Sequence, residues 1–169
     1  YLRILPPDGQ VTVSAPSYVT TAELSDFLLS KLPDIYLRQE RMRSQPRQTE
    51  RTYVSGEAHY LWGKPYRLQV VYDGTRASVV KKASILVMTV PASYTLEQRE
   101  RVMTEWYRAE LRRVLKSATR RCEQVTGVEA EEFRIKNMKT RWGTCNIPER
   151  RIWLNLQLVK KPPECLDYV

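Results

Sequence analysis

KTRWGTC, residues 139–145, places two cations, a tryptophan, a glycine and a thiol within seven consecutive positions. Residues 131–146, which contain it, alternate between apolar and polar side chains and predict a strand. A turn sequence, NIPER, follows, and RIWLNLQLV at 151–159 predicts the returning strand of a hairpin. The Pro162-Pro163 pair then predicts the start of a helix, because proline is preorganised for the first helical position.

A long helix is predicted before this hairpin. Thr95 and Gln98 have the spacing of a capping box, and no proline or glycine interrupts the chain until Gly127. Residues 93–169 are therefore expected to form a long helix, a β-hairpin and the start of a second helix.

Residues 1–92 are predicted to be rich in strands. Helical spacing within residues 21–43 is interrupted at Pro33 and predicts a broken helix inserted among them. The apolar run at 85–90 predicts a central strand. The expected fold class is α+β, with a β-rich region at 1–92 and a second domain at 93–169. Two turn sequences predict tight hairpins: Pro7-Asp8-Gly9 and Asp73-Gly74.

The chain is strongly basic, with 28 Lys and Arg against 19 Asp and Glu, and a formal net charge of +9. Many of the cations lie in the predicted long helix and alternate with glutamates. They form either a solvated face with ion pairs between residues four apart, which we prefer, or a stripe that binds nucleic acid. The helix cations are Arg99, Arg101, Arg108, Arg112, Arg113, Lys116, Arg120 and Arg121.

Other features of the sequence limit the class of protein. Cys122, Cys145 and Cys165 have spacings that fit neither a disulfide framework nor a C-x-x-C zinc site, which favours a reducing compartment. No apolar run approaches the roughly 18 residues of a membrane span, and no signal peptide is evident. We therefore expect a cytoplasmic protein without a membrane partner, and the sequence leaves its oligomeric state open.

Together these motifs resemble the YgjP-like metal-dependent hydrolases, a zincin-type, metallopeptidase-like family. The family pattern combines K-[ST]-R-W-G-S-C, a strand that ends in L-N, and P-P-x-x-x-D-Y-V at the entry to the catalytic helix. This chain has Thr144 in place of the usual serine, and its upstream half resembles the family more weakly. The other matching residues are Lys139, Thr140, Arg141, Trp142, Gly143, Cys145, Leu154, Asn155, Pro162, Pro163, Asp167, Tyr168 and Val169.

The resemblance implies a zinc-dependent hydrolase. In the family, the helix that starts at the double proline carries an H-E-x-x-H motif, in which two histidines one turn apart bind zinc and the glutamate activates the bound water. That motif would begin a few residues beyond Val169, so we expect the metal ligands and catalytic groups outside these residues. Only about two turns of the terminal helix are present, which predicts a piece of a longer protein.

The resemblance leaves the substrate open. A metallopeptidase-like hydrolase would act on a peptide, whereas the same family is also associated with nucleoside triphosphate pyrophosphohydrolase activity. A noncatalytic module that binds nucleotides or nucleic acid is a further alternative. His59 lies far from the motif in a strand-like context, and we expect it to be structural or on the surface rather than a metal ligand.

Arg141 and Lys139 are the candidate substrate-binding residues. Both would lie on the same face of the predicted strand, where they could bind a carboxylate or a phosphate, and the strand edge could bind an extended substrate. The alternative for Arg141 is a structural hydrogen bond to a neighbouring loop. Trp142 is expected to point the opposite way, into the core.

The remaining motif residues are expected to support the site. Gly143 would permit a bulge or a close backbone approach. Cys145 is either a core residue, which we prefer, or a reactive thiol that would need a basic partner. Asn155, the asparagine of the L-N pair in the family pattern, completes the candidate set.

Overall fold

The computed structural model divides into two compact units, Tyr1–Glu50 and Arg51–Val169. The buried core of the second unit includes residues on both sides of residue 92, where the boundary predicted from the sequence stays a prediction. The residues that the structure describes are 1–5, 9–44, 51–73 and 76–169.

The first unit contains a hairpin and a helix. Strands β1 (Leu2–Leu5) and β2 (Gln10–Val13) pair antiparallel, as predicted, with Leu5 opposite Gln10. Pro7 and Asp8 of the predicted turn lie outside the described residues. Helix α1 (Thr21–Ser44) follows.

The helix break predicted at Pro33 is wrong, because α1 continues through this residue. Proline removes one backbone donor and leaves the carbonyl of Leu29, four residues earlier, without its helical partner. Both Pro33 and Leu29 are on the exposed side of the helix, where water can satisfy that carbonyl. A proline on a solvated helix face is therefore tolerated.

The second unit begins with a four-stranded sheet in the order β3-β4-β6-β5. The β4 and β6 strands run parallel, and the other neighbouring pairs are antiparallel. Its strands are β3 (Ala58–Leu61), β4 (Lys64–Tyr72), β5 (Ser78–Lys82) and β6 (Ile85–Val90).

The predicted strand at 85–90 is confirmed as β6, an internal strand that buries Leu86, Met88 and Val90 completely. The hairpin predicted at Asp73-Gly74 is wrong, because β6 lies between β4 and β5. Gly74 itself lies outside the described residues.

Helix α2 (Leu96–Thr126) has the bounds that its sequence signals predict. The hydroxyl of Thr95 accepts the N–H of Gln98, and the Gln98 side chain accepts the N–H of Thr95 at 2.8 Å. Gly127 ends the helix with a φ of 69°, a left-handed conformation that glycine adopts without strain. Met103 and Leu111 on its inner face belong to the core.

A three-stranded sheet completes the second unit in the order β7-β9-β8. A short 3-10 helix (Leu156–Lys160) follows β9 and leads into α3 (Pro163–Tyr168), so the predicted helix start at the double proline is confirmed. The predicted α+β class is confirmed as well. The strands are β7 (Glu132–Lys136), β8 (Gly143–Asn146) and β9 (Arg151–Asn155).

The sequence hypothesis of one continuous strand over 131–146 is wrong. The chain leaves the sheet after β7 and returns as β8, and residues 156–159 form the 3-10 helix instead of continuing β9. None of the helices in the described ranges has the length and apolar character that crossing a lipid bilayer requires.

Candidate functional site

The segment between β7 and β8, residues 137–142, is here named the crossover loop. In the sheet, Lys136 at the end of β7 lies opposite Asn155, and Gly143 at the start of β8 lies opposite Leu154. Because β7 and β8 flank β9, the loop must pass over the end of β9, where Asn155 is the last residue.

Asn155 holds the crossover loop through its buried side chain, which is only 4% exposed. Its amide nitrogen donates to the carbonyls of Met138 at 2.9 Å and Arg141 at 2.7 Å. Its amide oxygen accepts the backbone N–H of Met138 at 3.3 Å and of Gln157 at 3.1 Å. Its own N–H donates to the carbonyl of Trp142 at 2.8 Å. One side chain therefore shapes the loop and also caps the 3-10 helix.

These bonds involve only backbone atoms of the loop, so its side chains are free to project into solvent. Lys139 and Arg141 are both exposed, and they lie on a loop rather than on one face of a strand as predicted. Within the described residues the Arg141 guanidinium makes no hydrogen bond or ion pair, so the structural bond considered for it is not found there. Both cations are in a position to meet an anionic ligand.

Trp142 does not pack into the core, so that prediction is wrong. Its side chain is 48% exposed, and the ammonium group of Lys161 lies 5.8 Å from the ring centroid. The backbone bond from Asn155 to the Trp142 carbonyl holds the chain at the surface here, while Gly143 begins the strand. Trp142 and Lys161 form an exposed cation–π pair next to the loop.

Lys161 is a residue that sequence reasoning missed. It lies immediately before the double proline, and no spacing rule relates it to Trp142. The neighbouring Lys160 places its ammonium 5.2 Å from the ring centroid of Tyr107, and burial lowers the pKa of Lys160, with Arg51 adding to the shift. Lys160 is the last residue of the 3-10 helix and Lys161 is its C-cap. The ammonium groups of these adjacent lysines lie over different rings, those of Tyr107 and Trp142.

Gly143 lies where α3 approaches the sheet. A Cβ atom at this position would be 2.5 Å from Cγ1 of Val169 and 3.2 Å from the carbonyl oxygen of Trp153. Any side chain here would collide with the end of α3 or with β9. The glycine therefore allows the start of β8 to lie directly beside the α3 segment.

Two further contacts hold α3 in place. Pro162 lies against Gly63, where a Cβ atom would come within 3.0 Å of the proline ring. At the other end, one guanidinium nitrogen of Arg121 in α2 donates to both carboxylate oxygens of Asp167, at 2.9 and 3.0 Å. The motif residues Pro162 and Asp167 thus fix the helix that follows the crossover loop along the chain.

An apolar cavity of about 510 Å³ lies between α2, the three-stranded sheet and α3. Cys145 contributes to its wall and is exposed, so the expectation that Cys145 packs in the core is wrong. The cavity could take an apolar group of a ligand. Other residues that line it include Cys122, Phe133, Leu154, Leu166 and Val169.

His59 is a structural residue, as expected. It lies in β3, is 4% exposed, and its Nε2 is 3.2 Å from a carboxylate oxygen of Glu57. Burial lowers the pKa of His59, and the hydrogen bond with Glu57 opposes that shift without reversing it. The imidazole is therefore neutral near pH 7 and is engaged within the second unit.

The described residues do not fit a zinc ion. Among them, no three His, Cys, Asp or Glu side chains come together as a metal site would require. His59, the single histidine of the chain, is buried against Glu57.

Comparison with known proteins identifies the family. A family model described as YgjP-like, metallopeptidase domain matches residues 1–169, which is the whole chain. No curated protein and no solved structure gives a significant match.

Proposed function

Since the chain belongs to the YgjP-like, metallopeptidase domain family, we propose that its protein is a metal-dependent hydrolase, with zinc as the metal and the crossover loop as part of the substrate site. The metal ligands expected from the family motif would follow Val169. The role left to the described residues is to bind and orient the substrate.

The family match supports the hydrolase class, and the observation that supports the crossover loop as part of the substrate site is the way in which Asn155 holds it. Two carbonyls and one N–H of the loop are bonded to a buried amide, while Lys139 and Arg141 project from the same loop. A binding site works best when its side chains are presented by backbone that is already ordered, because little entropy is then lost on binding. Arg141 could donate two hydrogen bonds to a carboxylate or phosphate.

A peptide substrate is supported by the sheet edge and by the cavity. β8 is an edge strand of the three-stranded sheet, and edge strands can pair with an extended peptide. The apolar cavity begins at Cys145, on this same strand, and could receive an apolar side chain of the peptide. Metallopeptidase-like hydrolysis is therefore our first candidate.

A nucleotide substrate is supported by a different observation. Trp142 is exposed and lies among cations, since Lys161 is over its ring and Arg141 precedes it. An exposed indole can stack on a base while neighbouring cations bind phosphates. Nucleoside triphosphate pyrophosphohydrolysis is our second candidate.

The proposed activity can be tested with the purified full-length protein. We expect about one zinc ion per chain, hydrolysis of a mixed peptide library or of nucleoside triphosphates, and loss of that hydrolysis with 1,10-phenanthroline. Protein that contains no metal, or hydrolysis that the chelator leaves unchanged, would contradict the metal-dependent reaction.

The role of the loop is tested by Arg141→Gln in the same assay. We expect kcat/KM to fall about 10- to 100-fold, the effect of losing a hydrogen bond to a charged group, whereas Arg141→Lys retains part of the activity. Arg101→Gln, which removes an exposed cation from α2, is the matched control and should change little. Equal activity of Arg141→Gln and Arg101→Gln would exclude the loop as a substrate site.

A further inference from the structure

Three exposed cations form a line on α2. Arg112, Lys116 and Arg120 are four residues apart, so they lie on one helical face. All three line a groove of about 440 Å³ between α2 and β7. We refer to them as the α2 cation line.

The α2 cation line is not neutralised as its neighbours are. Arg108 pairs with Glu105 at 3.3 Å and Arg113 pairs with Glu110 at 2.9 Å, both between residues three apart. Across residues 1–5, 9–44, 51–73 and 76–169, no carboxylate pairs with the three cations of the line. The sequence favoured a solvated helix face with ion pairs. That interpretation fits Arg108 and Arg113, but it does not fit the α2 cation line.

The one acidic residue that lines the groove is occupied elsewhere. A carboxylate oxygen of Glu123 accepts the backbone N–H of Ala130 at 3.3 Å, in the segment that connects α2 to β7. This bond secures the end of the groove. Glu123 keeps its negative charge, but three cations against this one carboxylate leave the lining of the groove with a net positive charge.

The spacing of the line suits a chain of phosphates. A helix rises 1.5 Å per residue, so cations four residues apart are separated by about 6 Å along the axis. The groove also has apolar groups, Leu115 from α2 and Phe133 from β7, both half-buried against the core. Proteins that bind single strands combine a row of cations for the backbone with apolar or aromatic groups for the unstacked bases.

We propose that this groove binds single-stranded nucleic acid. The α2 cation line contacts successive phosphates, and Phe133 and Leu115 contact the bases or sugars. A duplex hides its base faces in the stack and leaves the apolar groups without a partner. This proposal uses none of the residues of the crossover loop, so it can fail or succeed independently of the proposed hydrolase activity.

The test is fluorescence anisotropy with labelled single-stranded oligonucleotides of about 12 nucleotides, at several salt concentrations. We expect Arg112→Gln/Lys116→Gln/Arg120→Gln to lower the affinity at least about tenfold. It should also reduce the slope of log K against log salt by about 2, because each phosphate contact on a single strand contributes about 0.7. Arg112→Lys/Arg120→Lys, which keeps the charge, should retain the slope.

The matched control removes three positive charges from a different surface of the protein. Lys64→Gln/Arg67→Gln/Lys82→Gln changes three exposed cations of the four-stranded sheet and should leave the slope unchanged. Circular dichroism of both triple variants checks that the fold is retained. The proposal is overturned if the wild-type chain does not bind, if both triple variants lose affinity equally, or if duplex binds as tightly as single strand. Binding only to vesicles of phosphatidylserine would overturn it as well.

Discussion

Helix α2 and the crossover loop both belong to the second unit, but their conformations have opposite origins. α2 begins at a capping box formed by Thr95 and Gln98, three positions apart, and ends at Gly127, whose N–H bonds to the carbonyl of Glu123. The crossover loop is held by Asn155, which is 17 residues from Met138 along the chain. Local signals therefore determine α2, whereas the loop depends on a residue that only the folded sheet brings beneath it.

The largest expected effect comes from removing the support of the loop. Asn155→Ala would leave the part-buried carbonyls of Met138 and Arg141 without their donor, and we expect the free energy of unfolding to fall by about 2–4 kcal/mol. Urea unfolding measures this loss. Amide hydrogen exchange at Met138 should accelerate in the same variant.

Asn137→Ala is the matched control for that prediction. Asn137 is exposed and accepts one hydrogen bond, from the side chain of Gln157 at 2.9 Å, so its loss should cost less than about 1 kcal/mol. If both variants lose the same stability, the loop does not depend on the buried amide, and the contrast with α2 is lost.

An intermediate effect is expected where the start of β8, directly after the loop, contacts the end of α3. Gly143→Ala forces a methyl group against Val169 and toward the Trp153 carbonyl, and overpacking of this kind costs about 1–3 kcal/mol. Thermal or urea unfolding measures the cost. Combining it with Val169→Ala should recover part of the loss, since the closest contact is removed. Strictly additive costs would show that the two residues do not touch.

The smallest expected effect is at the locally determined element. Thr95→Ala removes the hydroxyl half of the capping box, and we expect a loss of about 1 kcal/mol in the free energy of unfolding. Ser117→Ala, in the middle of α2, removes only a bond to the carbonyl of Val114 and should be nearly neutral. If Thr95→Ala lowered the free energy of unfolding as much as Asn155→Ala does, the order of effects predicted here would be wrong.

Features encoded by neighbouring residues were predicted correctly. The bounds of α2, the first hairpin, the internal strand at 85–90 and the helix start at Pro163 all follow from caps, turns or periodicity within a few residues. Two local signals failed. Asp73-Gly74 does not give a hairpin because β6 pairs between β4 and β5, and the effect of Pro33 depends on whether the helix face around it is solvated. The sequence alone does not show which face that is.

The geometry of the candidate site differs from the one that the sequence predicts. The predicted hairpin does bring KTRWGTC beside the L-N pair, but the alternation over 131–146 predicts a strand with Trp142 in the core. The hydrogen bonds of Asn155 replace the ladder bonds that a strand would make over 138–142, so the segment forms a loop and Trp142 is exposed. The alternation of apolar and polar residues gives no information about a hydrogen-bonding side chain that is distant along the chain.

The sequence by itself therefore determined the α+β class, the long helix and the residues of the motif, because each depends on interactions between residues close along the chain. Only the tertiary structure decided that β9 lies between β7 and β8, that Asn155 supports the crossover loop, and that the α2 cation line borders a groove with Phe133. Those outcomes depend on which strands pair and which buried polar groups find partners. Both are settled when the chain packs as a whole.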